Sequence, residues 1–517
     1  MGKPPRRNKG SGLALASFSA LPGRPQFSVK SAGRMTTTPI DTEERARARA
    51  AWRIFSVTSL GVLLCFINSS TLNVALPAVT QALGASPTEA SWILLSYMLV
   101  NTVLILVFGR LADLVGRRAL YLAGLAVFTL GSLGCGLSFS PEMLILFRVV
   151  QAAGGAAIIT NTTALLTDAF PPRLLGTGLG LNASMAACSQ VLGPLVGGAM
   201  VAGFGWRAVF LFNIPLGLIA LVWAALTLRR LESKGTGERF DLLGGLLSLL
   251  LLGGLALTLS LGGSWGWGHP LVVFSMGVAA AAFPAFLLTQ AVRPDPLVDL
   301  RLFSDRDRSI GYASVLLLPA AQTAFILLVA LFLQAAQGKG PLEAGAQVSV
   351  TALGMMIAAP LAGRLLRHMP AAVLTRIGLG LASAGTAGLA ATIGPAMPPL
   401  LLMLWMLLMG LGTGLFMTPN TSAIMTSVPP ARRGIANGVR SMLQNSGGLL
   451  GTALALSIVT APLSPASRQA VYSGRLAGFS AAEMAALLGG YRAALWVLCG
   501  FCLLALALST LRGRRRA

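Results

Sequence analysis

Arg148 and Gln151 stand three residues apart, and Arg440 and Gln444 four apart, within stretches that are otherwise largely apolar. Either spacing sets both polar groups on one face of a helix. An arginine deep in hydrocarbon costs about 2.5–3.5 kcal/mol on insertion scales, so each should face a cavity or a partner. Snorkelling to the interface is the competing reading, strongest for Arg440, which lies about one and a half turns from the end of its segment. Two such cations with no acid beside them would favour anionic or neutral solutes over lipophilic cations. Bond-breaking chemistry has no comparable residues. Both histidines, His269 and His368, fall near segment ends, and the chain has no His-x-x-x-His, no Ser-His-Asp set and no G-x-x-x-x-G-K-[ST] phosphate loop. No enzymatic activity, cofactor, metal or ATP drive is expected. All five cysteines (Cys65, Cys135, Cys188, Cys499, Cys502) sit in apolar runs and read as buried, inert thiols.

Long apolar segments must position these residues. The 517-residue chain is 55% hydrophobic and 11% charged, against roughly 25% charged in a soluble domain. Runs such as Leu242–Leu261 and Leu400–Leu408 recur along it, and many approach the ~20 apolar residues that a helix needs to cross a bilayer. The fold class read from this is an all-α polytopic membrane protein with fourteen spans in a lipid bilayer. The net charge of +23 does not point to nucleic acid, because the basic residues are scattered through short gaps between segments. Their placement orients the chain instead. With the N-terminus inside, the cytoplasmic gaps hold Arg110, Arg117, Arg118, Arg173, Arg229, Arg230, Arg306, Arg308, Arg364, Arg367, Arg432 and Arg433, among others. The opposite side keeps Arg207, Lys339, Arg468, Arg475 and Arg492. Positive charge inside puts both termini in the cytoplasm of a multi-pass cell (plasma or inner) membrane protein.

The chain repeats itself. Gly109-Arg-Leu-Ala-Asp113 through Leu120 aligns without gaps on Gly363-Arg-Leu-Leu-Arg367 through Leu374, and Pro171-Pro172 with Gly176 resembles Pro429-Pro430 with Gly434 at nearly the same offset. The organisation expected is an N-terminal six-helix half over 54–228, an inserted helix pair over 242–291 and a C-terminal six-helix half over 310–511. Repeats of this kind place a substrate site near the membrane midplane, between the halves. Residues 1–50 are polar and basic and read as a disordered cytoplasmic extension, with Met35 the expected true start; 512–517 form a basic tail. The Met-Gly beginning lacks a myristoylation signal because Arg6 stands where a Ser or Thr is needed.

Gly109-Arg-Leu-Ala-Asp113-Leu-Val-Gly116-Arg117-Arg118, between spans 2 and 3, matches almost completely the G-x-L-a-D-r-x-G-r-[RK] signature of the major facilitator superfamily. Gly193-Pro194-Leu-Val-Gly197-Gly198 resembles an antiporter motif in span 5, with Ser189 in place of its first glycine. Arg148-Val-Val-Gln151-Ala152-Ala-Gly154-Gly155 resembles R-x-x-Q-G-x-g-a-A, with Ala152 for a glycine, and Trp206-Arg207 through Asn213 and Gly217 resembles the entry to span 6. From about residue 54 to 511 the chain resembles the fourteen-span drug:proton antiporter branch of that superfamily. The resemblance implies a secondary transporter exporting drug-like or metabolite small molecules by alternating access, with protons as counter-ion. It implies a central site from spans 1, 4, 9 and 12, and a conformational latch in which Asp113 pairs with Arg117 or a helix N-terminus.

Span 1 departs from the pattern. Asn68-Ser-Ser-Thr-Leu-Asn73-Val-Ala-Leu-Pro77 carries asparagine at the branch's acidic position, and asparagine cannot titrate. Glu89, Glu142, Asp168, Asp241, Glu343 and Glu483 all fall near span ends or in loops. A gradient-driven facilitator or solute exchanger is thus the alternative to proton antiport. Asn68, Asn73, Arg148, Gln151, Gln322, Arg440 and Gln444 are the candidate polar groups along the path. In span 12, Met403, Met406, Met409 and Met417 either line the cavity or pack in the interior.

Overall fold

The computed structural model describes residues 39–228, 241–293, 296–429, 433–473 and 479–512; the side chains of Asp113, of several residues within 172–191 and of 433–435 lie outside that description. The described chain is helical, with no strand among the described residues. In order it forms α1 (Pro39–Leu83), α2 (Pro87–Val115), α3 (Arg117–Leu137), α4 (Pro141–Ala169), α5 (Pro172–Phe204), α6 (Ala208–Leu211), α7 (Asn213–Thr227), α8 (Leu242–Trp265) and α9 (Pro270–Val292). After a 3-10 turn at Leu300–Phe303 come α10 (Arg306–Ala335), α11 (Pro341–Leu365), α12 (Ala371–Thr392), α13 (Pro399–Thr426), α14 (Arg433–Thr460), α15 (Pro465–Ser473) and α16 (Ala481–Thr510). Thirteen segments among the described residues are long and apolar enough to cross a membrane, counting α6 with α7, and α5 carries a shorter apolar stretch, Cys188–Phe204.

Local chemistry explains where the helices begin. Ser86 and Ser480 cap α2 and α16, each in a reciprocal capping box with Glu89 or Glu483, and Ser140 accepts from Met143 N at the start of α4. Proline fills the first position of α2, α4, α9, α11 and α13, where its missing N–H costs nothing. These signals shift boundaries from the hydropathy reading. The last helix starts at Ala481 rather than 491, because the capping box overrides the weak apolarity of its first turns. The loop before it holds the short helix α15. Residues 39–50, expected to be disordered with the rest of 1–50, are the first turns of α1, which its Glu- and Arg-rich sequence can sustain as helix; residues 1–38 lie outside the described residues. Of the tail, Arg512 is buried and donates to Asn420 Oδ1 rather than extending into water.

Corresponding helices pack alike. α4 lies against α2 and α3, as α13 lies against α11 and α12; α3 contacts α7 as α12 contacts α16. Across the two groups, α5 packs on α11 and α2 on α14, while α8 packs on α9, α2 and α14. Buried Val57, Leu64, Tyr121, Phe128 and Ile158 fill one interior, and Phe325, Phe332, Met406, Met409 and Tyr491 fill the other. The face carrying the α2–α3 turn at Gly116 is called the near face below, and that carrying the α1–α2 turn at Gly84 the far face. At the far face, Leu72 and Leu76 of α1 meet Leu327 and Leu331 of α10, Leu456 of α14 and Tyr472 of α15 in one buried cluster.

Candidate functional site

Asn68, midway along α1, is the hub of a buried polar network. Its Oδ1 accepts from Gln151 Nε2 at 3.1 Å and from Asn213 Nδ2 at 3.2 Å. Gln151 also donates to Ser132 Oγ at 2.7 Å, and its own Oε1 takes an N–H of Arg148 at 2.7 Å. Arg148 Nε donates to the Ile93 carbonyl at 3.2 Å, and the guanidinium lies over the Tyr97 ring, 4.1 Å from its centroid. Arg148 is 2% exposed, so it does not snorkel. The cation is held by a neutral amide, a carbonyl and an aromatic face, each electron-rich where it meets the guanidinium. Asn68 Nδ2 and Asn213 Oδ1 are buried with no hydrogen-bond partner.

Beside this network lies a cavity of about 190 Å³, bounded by α1, α2, α5, α10, α11, α13 and α14. Asn73, Gln322 and Gln444, named from sequence, line it, together with Tyr97, Asn101, Gln190 and Asn445, which sequence did not single out. Tyr97 and Asn101 are four apart and face the same way, a legible signal, but Thr88, Ser91, Ser96 and Thr102 of the same helix are its rivals. Asn68, Arg148 and Gln151 are not in the lining; Arg148 stands behind Tyr97, which is. Arg440 is not in the lining either. Its Nε and two terminal nitrogens donate to Asn437, Gln444 and Ser441 on its own helix, at 3.0, 2.8 and 3.2 Å. Among the span-12 methionines, Met417 lines the cavity, while Met406 and Met409 belong to the packed interior. Asn213, which belongs to the motif at the entry to span 6, joins Asn68 directly.

The antiporter-motif residues pack backbones closely. A Cβ added to Gly193 would sit 2.2 Å from Ser70 Cβ, and one on Gly197 2.8 Å from Thr71 Cα, so α5 presses on α1 beside the cavity. Gly198 meets Pro341 and Leu342 of α11 in the same way, and Pro194 lines the cavity. Small residues permit such crossings in lipid.

At the near face, Gly116 turns the chain with φ +92°, a region that side chains rarely adopt. Gly109 lies in α2 about two turns before it. Asp113, the expected partner of Arg117, has its side chain outside the described residues. The ion pair described for Arg117 is with Asp168, in the last turn of α4. Those side chains are 31% and 47% exposed, so solvent screens the pair. Asp168→Asn is expected to cost less than about 1 kcal/mol, read as a thermal-unfolding shift in the purified protein.

A membrane-spanning helical protein with a polar cavity between two similarly packed helix groups has the architecture of a secondary transporter. The Major Facilitator Superfamily profile matches residues 58–452, and the chain belongs to that family. It is 32% identical to an uncharacterized transporter, YebQ, of Escherichia coli (strain K12), over 84% of this chain and 93% of that protein. It is 30% identical to the tetracenomycin C resistance and export protein of Streptomyces glaucescens, over 78% of this chain and 75% of that protein. A bacterial homolog of the human lysosomal transporter Spinster, solved inward-facing and unoccupied, superposes with a TM-score of 0.60 at 19% identity, covering 90% of this chain and 97% of that one. The last likeness concerns the fold.

Proposed function

We propose that this chain exports a small molecule from the cytoplasm by alternating access about the cavity between its two helix groups. The observation carrying the reading is that α1, α2 and α5 line the cavity from one side and α10, α11 and α14 from the other. A solute held there is released to one face or the other as the groups rock. The arginine-rich near face is the cytoplasmic one, with both termini on that side of the cell membrane. Its Gly109-to-Arg118 turn acts as the latch, with Asp113 the acid and Arg117 and Arg118 the bases. The apolar far-face cluster with α15 closes the outer side. The export name of the Streptomyces relative supports the direction of transport.

Proton antiport is the energy source the family pattern suggests. Asn68 favours a second reading, a gradient-driven facilitator or solute exchanger. The network gives Asn68 two donors, a setting that would suit a carboxylate, yet the residue is an amide that neither gains nor loses a proton. Uptake into everted membrane vesicles, with and without an imposed pH gradient, separates the two. Substrate uptake is expected to persist when the gradient is collapsed, and loss of uptake would restore proton antiport. No uptake of any tested solute above empty-vesicle controls would overturn the transport reading. Asp113→Asn is expected to slow uptake at least about tenfold, the effect of ~1.4 kcal/mol on the conformational equilibrium, with unchanged expression.

A further inference from the structure

We propose that the central cavity selects an uncharged solute rich in oxygen acceptors, with Asn101 and Gln444 as its donors and Arg440 positioning Gln444. This rests on the cavity being the substrate site, as above.

Asn101 of α2 is 7% exposed and borders the cavity, and its Nδ2 is buried with no hydrogen-bond partner. A buried donor left unmade is costly, and a bound acceptor would satisfy it. A Cβ on Gly155 would fall 2.8 Å from Tyr97 Oη and 3.3 Å from Asn101 Nδ2, so both groups pack against a glycine of α4 that offers the amide no side-chain partner. Across the cavity, Gln444 of α14 has its carbonyl end engaged by Arg440 at 2.8 Å. An amide fixed by its oxygen offers its two N–H groups to whatever lies opposite. Arg440 therefore acts through Gln444, with its donors taken up by Asn437, Ser441 and Gln444 along its own helix.

Charge selection follows from the same residues. The lining supplies amides, hydroxyls and thioethers, from Ser69, Asn73, Gln322, Thr323, Asn445 and Met355 among others, and no charged side chain is among its described residues. A cation entering would lose its hydration without meeting an anion, and Arg148 and Arg440 nearby would add repulsion. An anion would feel the charge of both guanidiniums but could not pair with either directly, since neither lines the cavity and their described donors are bonded to carbonyl and amide oxygens, so its hydration would be poorly replaced. A neutral molecule pays neither cost and can take the free amide donors.

Equilibrium binding to the purified full-length protein tests this. The probes are a panel of uncharged polyoxygenated solutes headed by chloramphenicol, chloramphenicol succinate as its anionic counterpart, and ethidium as the cation. At least one uncharged compound should bind at least about tenfold more tightly than either ion, and Asn101→Leu or Gln444→Leu should weaken it about fivefold, the scale of one neutral hydrogen bond. Arg440→Met should weaken it as much as Gln444→Leu, while Arg440→Lys, which can still donate to the amide, should restore most of the affinity. Asn101→Asp, assayed at pH 8, should raise ethidium affinity. Tighter binding of either ion by the unaltered protein, no binding by any uncharged compound, or indifference to these substitutions would overturn the proposal. The stated preference without vesicle uptake would overturn the transport reading alone; uptake of ethidium by the unaltered protein would leave transport standing and overturn the charge selection.

Discussion

Gly345→Val is expected to reduce transport by at least about twentyfold while the protein still inserts into the membrane. A Cβ at Gly345 would sit 2.1 Å from the Pro194 carbonyl oxygen and 2.9 Å from its carbon. Both are backbone atoms, so no rotamer change relieves the clash. The helix cannot slide past it easily, because α5 and α11 are pressed together again three to four residues away, where a Cβ on Gly198 would sit 2.4 Å from the Pro341 carbonyl oxygen. Overpacking costs about 1–3 kcal/mol even where side chains can yield. Here α5 and α11 must part near the far face, opening a seam between the two groups and disfavouring the closed outer state. A shift of about 3 kcal/mol changes the population of that state by more than a hundredfold. Gly380→Val is the control: nothing lies within 4 Å of its added Cβ, and transport is expected to match the unaltered protein. Uptake rates, with cross-linking of a cysteine pair replacing Ala85 and Gln469, which are bonded at 2.6 Å across the far face, report both effects.

Asn68→Asp is expected to make transport respond to a pH gradient. The new carboxylate would inherit the donors that now serve Asn68 Oδ1, Gln151 at 3.1 Å and Asn213 at 3.2 Å, with Arg148 one hydrogen bond further on. Each donor favours the charged form, and burial opposes it. When the helices rock and the donors move, the balance between those effects moves with them. A change worth one pKa unit is 1.36 kcal/mol, or tenfold in protonation equilibrium. Vesicle uptake by the variant should change at least about fivefold when the gradient is collapsed, against less than about twofold for the unaltered protein. Equal responses in the two proteins would mean that position 68 does not decide the coupling.

How far the site could be read from sequence varied with the kind of residue. Arg148 and Gln151 announced themselves because a polar pair in an apolar run is costly and therefore needs a partner. Their tie to Asn68 spans 83 positions in the chain, and no periodicity carries that separation. Asn101 and Tyr97 passed unnoticed because polar residues are common in α2, and only the packing of α4 against it shows which face is buried. Arg440 shows the opposite limit. Its place in an apolar segment suggested either a cation facing anionic or neutral solutes or a side chain snorkelling to the interface, yet three neighbours on its own helix absorb its donors.

The sequence by itself determined the class, the number of spans and the internal repeat. These depend on apolar length, on where arginines can avoid hydrocarbon, and on glycines and prolines at turns, all of which act within a few residues. Tertiary structure decided what each polar group faces. It placed Arg148 behind Tyr97 instead of in the cavity, set Gln444 with its amide turned by Arg440, and brought Gly345 onto the Pro194 backbone. Those outcomes depend on how helices far apart in the chain rotate and press together. A shift of one residue around a helix moves a side chain by about 100°, which is enough to turn a cavity group into a packed one.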